Sequence, residues 1–382
     1  MNSEYEVRIY DYDGAKFSTV GTTYETASMS YTENCYSPGV FTINIPTAAM
    51  FADEFKKYRF VHISRRFCGI ITGVTMDANN SADMLTVSGT NLFGLLAQRV
   101  TIPPNFSGVS ALAGFDSARG SSETVIKHFV NSNIVAPYSN FRKIPGFRIL
   151  PDLGRGIADD RYLSRYENLA DVVGAVGKDA KLPIVTAFNL ADGTIDFDVK
   201  LGVDRTAANG LVPPVIIDTE RRTALSANMI DSDGGLRNAF YSTMAGAEFE
   251  DEALTLVYYR DADELAPPQG IFRRETHMEL NAEHPTPGQE YDELKRLALI
   301  SATNYEAQLS FRAEVNFATL QYARDYFLGD KVTVRRRDWG VTLDSEVTSV
   351  TASLAAGNIS YTATFGTERP DFARAIRRAS RR

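Results

Sequence analysis

The segment YSPGVFTINIP at residues 36–46 combines a turn with a strand and points to a β-rich fold. Its SPG tripeptide, residues 37–39, is a turn signal. The apolar residues Phe41, Ile43 and Ile45 then alternate with polar ones, which is the period of a strand with one buried face. The turn and the alternation together predict a strand that buries these three side chains.

The same alternation extends outward toward both ends of the chain. Its longest run is AQLSFRAEV, residues 307–315, where apolar residues occupy every second position. Short strands separated by Gly, Asn and Pro turns are typical of small barrels and sandwiches. Further strands are predicted within the segments 5–9, 61–63, 70–74, 85–87, 215–217, 238–243, 254–259, 332–334, 346–351 and 359–365.

The middle of the chain mixes helices with strands. Residues 121–132 predict a helix with a Ser121 or Ser122 cap, and residues 167–178 predict a second one. Strands are predicted at 182–188 and 194–199, with a turn between them. This pattern indicates a small α+β unit.

The predicted fold class is mainly β with α+β insertions. It comprises two small β-barrel-like domains that form a tube-like ring, a helix-and-hairpin domain and a smaller middle domain. The expected divisions are 1–104 for the first barrel, completed by about 211–245, then 105–210, 246–306 with a helix at 290–303, 307–370, and a basic tail at 371–382.

Composition limits the classes of function. The 382 residues include 40 basic and 48 acidic ones, a formal net charge of −8, so generic nucleic-acid binding is not expected. DNA passing through a channel without adhering to it remains compatible with this charge. No apolar run approaches the ~18 residues that a membrane span needs, and no secretory signal is visible, so synthesis in a cytoplasm is expected.

A search for catalytic and metal-binding motifs gives no enzyme class. Nucleophile elbows, zinc motifs and phosphate-binding glycine loops do not occur in the sequence. The DSDG segment at 231–234 resembles a calcium loop but has Phe240 where an acidic ligand is required. Pro285 breaks any helix that could present His277 and His284 on one face. Cys35 and Cys68 fit no metal spacing. We therefore expect no enzyme activity, no metal, no cofactor and no disulfide.

Two basic runs are the candidate sites for docking a partner. They can be solvated surface, or they can form an electrostatic contact with an acidic subunit, since clustered arginines favour carboxylates. Both interpretations remain open. The candidate docking residues are Arg335, Arg336, Arg337, Arg374, Arg377, Arg378, Arg381 and Arg382.

The order of short motifs resembles the tail-hub proteins at the tip of long-tailed phages. That family is similar to the N-terminal part of tail-associated lysins and to the baseplate hub of contractile tails. The resemblance is carried by turn and strand segments over nearly the whole chain. These are 36–46, GIITGV at 69–74, LTVSGTNL at 85–92, GVDRT at 202–206, LGDKVTV at 328–334 and FGTE at 365–368.

The resemblance implies a structural hub located at the tail tip of a virion. It implies a homotrimer whose paired β domains continue the tail tube and adapt its sixfold symmetry to a threefold tip, with DNA ejected through the ring. The implied partners are the distal tail protein, the tail tube, the tape measure protein and tip or fibre proteins. The alternative is a cell-wall-degrading enzyme or a carbohydrate-binding tail-tip module. Because the chain lacks the extension that carries lytic domains in some relatives, neither lysis nor host recognition is expected of it.

Overall fold

The N-terminal region consists of seven strands, as a computed structural model of the chain shows. The model describes residues 6–14, 16–64, 66–77, 83–103, 116–244, 255–259, 269–280, 294–295, 298, 302, 305, 308–355 and 358–366. The seven strands are β1 (Val7–Tyr12), β2 (Phe17–Thr23), β3 (Ser28–Asn34), β4 (Val40–Pro46), β5 (Phe60–Ile63), β6 (Phe67–Asp77) and β7 (Met84–Asn91).

The α+β insertion follows a 3-10 helix at Leu92–Gln98. Its two helices are α1 (Ser122–Val130) and α2 (Leu169–Ala180). Ser121 caps α1 by accepting a hydrogen bond from the Thr124 backbone N–H, so the predicted cap is confirmed. The strands are β8 (Asp116–Gly120), β9 (Phe147–Ile149), β10 (Asp160–Ser164), β11 (Ile184–Asn189) and β12 (Thr194–Val199).

The strands of the second half of the chain contribute to two compact units. One unit contains Met1–Asn228 and Arg312–Phe365, and the other contains Met229–Phe311 and Gly366–Arg382. The strands are β13 (Asp204–Arg205), β14 (Ile216–Asp218), β15 (Ala224–Ser232), β16 (Ala239–Met244), β17 (Thr255–Tyr259), β18 (Glu275–Leu280), β19 (Gln308–Val315), β20 (Lys331–Arg336), β21 (Val341–Ala355) and β22 (Asn358–Gly366).

One large sheet contains most of these strands. Its order is β15-β19-β22-β21-β3-β4-β7-β6-β5-β1-β2, and β20 pairs with β21, β13 and β14 beside this path. Strand β21 pairs antiparallel with β3, from Ser349 opposite Asn34 to Ala355 opposite Ser28. The first and last β regions of the chain are therefore joined by hydrogen bonds into one sheet. The mainly β class is confirmed.

The segment 36–46 folds as predicted because two neighbouring strands make room for its aromatic ring. Phe41, Ile43 and Ile45 are all at most 2% exposed. The Phe41 ring lies against Gly89, where an added Cβ atom would be 2.6 Å from the ring and 2.0 Å from the Ile70 carbonyl oxygen. Any larger residue at Gly89 would collide with both. The turn-and-strand motif and the glycine of the 85–92 motif thus form one packing unit.

A second core lies between the two helices of the insertion. The predicted apolar faces are confirmed, since Val125 and Phe129 of α1 and Val172 and Val173 of α2 are at most 1% exposed. The insertion extends the core to Tyr10 and other residues of the N-terminal strands. The strands β8, β9 and β10 lie where the sequence shows no clear periodicity.

The second unit has its own three-stranded sheet in the order β17-β16-β18. Its core contains Phe240, Met278, Leu280, Leu294 and Tyr305. Of the helix expected at 290–303, the described residues Leu294, Lys295, Ala298 and Ala302 are helical, and the others lie outside the described residues.

Candidate assembly surface

Two of the short motifs contact each other through Arg205 and Asp330. The Arg205 Nε donates a hydrogen bond to Asp330 Oδ2 at 2.8 Å, and the Val203 backbone N–H donates to Oδ1 at 2.9 Å. The Asp330 side chain is fully buried, so its charge needs these partners. Strand β13 runs parallel to β20 at this point, with Arg205 opposite Val332. The 202–206 motif therefore serves to hold the start of β20.

Gly202 permits this contact by lacking a side chain. An added Cβ atom at Gly202 would lie 1.8 Å from the Gly329 carbonyl oxygen. That distance is far inside van der Waals contact, so the two backbones could not approach as they do. Gly329 has a separate reason to be glycine, since its φ is +84° and an added Cβ atom there would lie 2.3 Å from the Pro183 ring.

Arg335, the first of the candidate docking residues, forms an ion pair within the chain. Its Nε and Nη2 donate hydrogen bonds to Asp218 Oδ2 at 3.0 and 2.7 Å. Burial raises the pKa of Asp218, but the hydrogen bonds from Arg335 and from the Glu220 backbone N–H outweigh it and lower that pKa below its ordinary value. The pair joins β14 to β20, where Asp218 lies opposite Arg335.

Arg336 and Arg337 lie at the hairpin between β20 and β21 and are more accessible. Arg336 forms two hydrogen bonds to Asp338, at 2.6 and 2.8 Å, and its guanidinium lies 4.7 Å from the centre of the Trp339 ring. Within the described residues, Arg337 forms an ion pair with Glu220 at the longer distance of 3.5 Å, and its side chain is 60% exposed. Arg337 thus has most of its hydrogen-bonding capacity directed to solvent.

The remaining docking candidates cannot be placed. Arg374, Arg377, Arg378, Arg381 and Arg382 lie outside the described residues, and their docking role stays a prediction. Arg335, Arg336 and Arg337 each have a different acidic partner within the chain, namely Asp218, Asp338 and Glu220. Asp218, the buried partner of Arg335, went unnoticed in the sequence because an aspartate at the end of an apolar run gives no signal of burial.

A polar cluster lies on the core side of the strand pair that joins the two β regions. Burial raises the pKa of Glu33 in β3 to about 7, although a hydrogen bond from Tyr322 and the charge of Arg66 oppose the rise. Arg66 Nη1 donates a hydrogen bond to the Tyr361 hydroxyl at 2.8 Å. This cluster connects β3 and β22 with the 316–330 segment, and the Glu33 carboxyl is the group in it whose pKa lies near neutral.

The described histidines and cysteines are dispersed. His128 is hydrogen-bonded to Asp116 at 2.7 Å, and His277 to the Thr243 hydroxyl at 2.9 Å, while His284 lies outside the described residues. Cys35 and Cys68 are both free thiols, as expected. Within the described part of the chain, no three His, Cys, Asp or Glu side chains are arranged to hold a metal ion. None of the helices described is both long and apolar enough to cross a membrane.

Three solved structures with a similar fold are tail proteins. A tail protein from Neisseria meningitidis MC58 superposes with a TM-score of 0.55 at 12% identity, covering 98% of this chain and 99% of that one. The 43 kDa tail protein of prophage MuSo2 from Shewanella oneidensis gives 0.56 at 11%, covering 97% and 99%. Prophage tail protein gp18 from Listeria monocytogenes EGD-e gives 0.54 at 9%, covering 98% of each. The resemblance seen in the sequence is therefore confirmed at the level of fold.

Sequence comparison gives the family directly. No curated protein matches the chain. The family model for the Siphovirus ReqiPepy6 Gp37-like protein matches residues 6–367, which is nearly the whole chain. This chain belongs to the family of Siphovirus ReqiPepy6 Gp37-like proteins, and its fold is similar to that of the phage tail proteins described above.

Proposed function

We propose that this chain is the structural hub at the tail tip, and that three copies form a ring that continues the tail tube. The observation that carries the proposal is the pairing of β3 with β21, which sets the two terminal β regions side by side in one sheet. Three copies of such a chain present six β regions around a threefold axis. That arrangement matches a sixfold tube on one side and a threefold tip on the other.

The ring closes through contacts between copies at the two ends of the large sheet. Strands β2 and β15 end the path of that sheet among the described residues. A free strand edge offers unpaired N–H and C=O groups to another chain. Contact between different edges of successive copies is head-to-tail, and it gives a closed ring of three when each copy is rotated by a third of a turn. DNA leaves through the ring at infection, and the protein itself catalyses no reaction.

The ring contacts the tail tube, the distal tail protein and the tape measure protein on one side, and tip or fibre proteins on the other. The arginines of residues 371–382, together with Arg337, dock an acidic surface of one of these neighbours. Truncation after Asp371 leaves the fold and the trimer intact and lowers incorporation into tails. Replacement of the five tail arginines by lysine retains incorporation and replacement by glutamine does not, if charge is what docks them. Equal incorporation of all these variants would exclude a docking role.

Two measurements test the proposal that this chain is a trimeric hub at the tail tip. Native mass spectrometry of the purified protein is expected to give three times the chain mass of 42.2 kDa. Gold labelling of tailed particles is expected to mark the tail tip alone. Label along the tail shaft, or a protein found only free in the lysate, would contradict the proposal.

A further inference from the structure

One face of the sheet that joins the terminal β regions carries no charged side chain over a patch of three rows across five strands. The residues of β22, β21, β3, β4 and β7 that point to this face lie opposite one another in three transverse rows. We call this set the neutral face. Its rows are Thr362-Thr351-Thr32-Val40-Thr90, Ser360-Ser353-Ser30-Thr42-Ser88 and Asn358-Ala355-Ser28-Asn44-Thr86.

The neutral face is the solvent side of these strands. All of its side chains are half-buried or exposed. The alternate positions on the other side form the core, where Tyr31, Phe41 and Tyr361 are at most 2% exposed. Solvent-facing positions of an antiparallel sheet are ordinarily polar and often charged. With 23% of the chain charged, a face of this size without Lys, Arg, Asp or Glu is a departure from the rest of the protein.

Hydrogen bonds between the strands already satisfy part of this surface. The Thr32 and Thr351 hydroxyls are 2.9 Å apart, across the strand pair that joins the two β regions. The Asn44 amide donates to the Ser28 hydroxyl at 2.9 Å and accepts from the Thr86 hydroxyl at 2.8 Å. Groups that bond to one another in this way have fewer donors and acceptors left for a ligand.

The composition of the neutral face is unsuited to binding another protein. The centres of protein–protein contacts are enriched in aromatic residues, Met and Arg, and depleted in Ser and Ala. The neutral face shows the opposite composition. It is also unsuited to holding nucleic acid, because phosphates are bound by Lys and Arg. A polyanion close to it would be neither attracted by fixed positive charge nor repelled by fixed negative charge.

We propose that the neutral face lines the channel of the ring and lets double-stranded DNA slide past without adhering. This inference rests on the proposed hub function and adds the surface and the chemistry that the channel presents. Small uncharged side chains leave such a passage open, whereas long charged ones would project into it and attract or repel the phosphates.

The test places positive charge in the middle row. Ser30, Thr42 and Ser88, which lie on adjacent strands, are all replaced by arginine. The altered gene is supplied in trans to particles whose own copy of the gene is deleted. The matched control for size replaces the same residues by glutamine. The control for net charge places three arginines on the exposed insertion residues Asn131, Asn140 and Ala158. Tip incorporation and the rate of DNA ejection are measured for each.

We expect the arginine particles to assemble normally and to eject DNA at least about tenfold more slowly, with the defect relieved by high salt. Both controls should eject at close to the wild-type rate. Wild-type ejection by the arginine particles would overturn the proposal, and so would a folded arginine variant that fails to assemble, because the face would then be a contact between subunits. A wild-type protein absent from the tip would instead refute the hub function itself.

A second measurement covers the case in which the triple variant does not fold. Thr42→Cys is placed in assembled tails and treated with a small maleimide and, separately, with a maleimide coupled to a large protein. A channel position reacts with the small reagent and is closed to the large one. Reaction with neither would place the face between subunits, and equal reaction with both would place it on the outer surface. Either result overturns the proposal.

Discussion

Arg205 and Asp330 form a hydrogen-bonded ion pair between residues 125 positions apart, at 2.8 Å, with the aspartate fully buried. Asp330 also accepts hydrogen bonds from the Val203 and Phe327 backbone N–H groups, at 2.9 and 3.0 Å. One carboxylate thus fixes the segment before β13 and the turn before β20. Breaking such a pair leaves a buried charge without its counterion, which costs more than the pair itself contributes.

Replacing Arg205 by alanine is expected to destabilise the unit by about 2–4 kcal/mol, because Asp330 keeps its backbone donors but loses the guanidinium that balances its charge. The matched control is Arg337→Ala, whose ion pair with Glu220 is exposed and should contribute less than ~1 kcal/mol. Urea unfolding followed by intrinsic fluorescence measures both. Equal effects of the two substitutions would show that burial of Asp330 does not govern the cost.

Replacing Gly89 by alanine is expected to destabilise the N-terminal strands by about 3 kcal/mol or more. The new methyl group would lie 2.0 Å from the Ile70 carbonyl oxygen and 2.6 Å from the Phe41 ring, so the sheet would have to shift. Gly210→Ala is the control, since nothing lies within 4 Å of an added Cβ atom there and its φ is not in the left-handed region. A thermal melt should show a large fall for the first variant and little change for the second.

The contrast between these glycines shows what the sequence could predict. Alternation identified the strand at Phe41 and the helix faces at Val125 and Val172, because burial imposes a period on apolar residues. The contact of Gly89 with the Phe41 ring could not be predicted in this way, because it depends on which strands are neighbours in the sheet.

The pairing of β3 with β21 lay beyond sequence analysis for the same reason. Strand register between segments some three hundred residues apart is set by packing in three dimensions. Hydroxyl residues at alternate positions looked like ordinary solvent-facing residues in each strand. Only the register showed that they align in rows without charge.

The two cysteines are expected to react slowly with thiol reagents in the folded protein. Cys35 is fully buried and its Sγ donates a hydrogen bond to the Val347 carbonyl oxygen at 3.2 Å. Burial raises the pKa of Cys68 to about 12, so little thiolate is present at pH 8. Mass spectrometry after maleimide treatment should show unmodified native protein and two additions in urea. Rapid modification of native protein would contradict the packing around both thiols.

The carboxyl group of Glu33 is expected to make stability fall as the pH rises toward neutral. Burial raises its pKa to about 7, above the ordinary value of 4.5, so the folded state binds this proton more tightly than the unfolded state does. Its contribution is fully present below about pH 4.5 and is lost as the pH rises through 7. A shift of that size corresponds to about 3 kcal/mol as an upper limit.

Glu33→Gln is the variant that isolates this effect, since it keeps the shape of the side chain and removes its titration. Between pH 5 and pH 8 the free energy of unfolding of the wild type should fall relative to that of the variant, because only the wild type must bury a charge at the higher pH. Glu25→Gln, on an exposed residue of the same region, controls for net charge. Parallel pH profiles for the wild type and Glu33→Gln would mean that Tyr322 and Arg66 hold the Glu33 carboxylate ionised throughout.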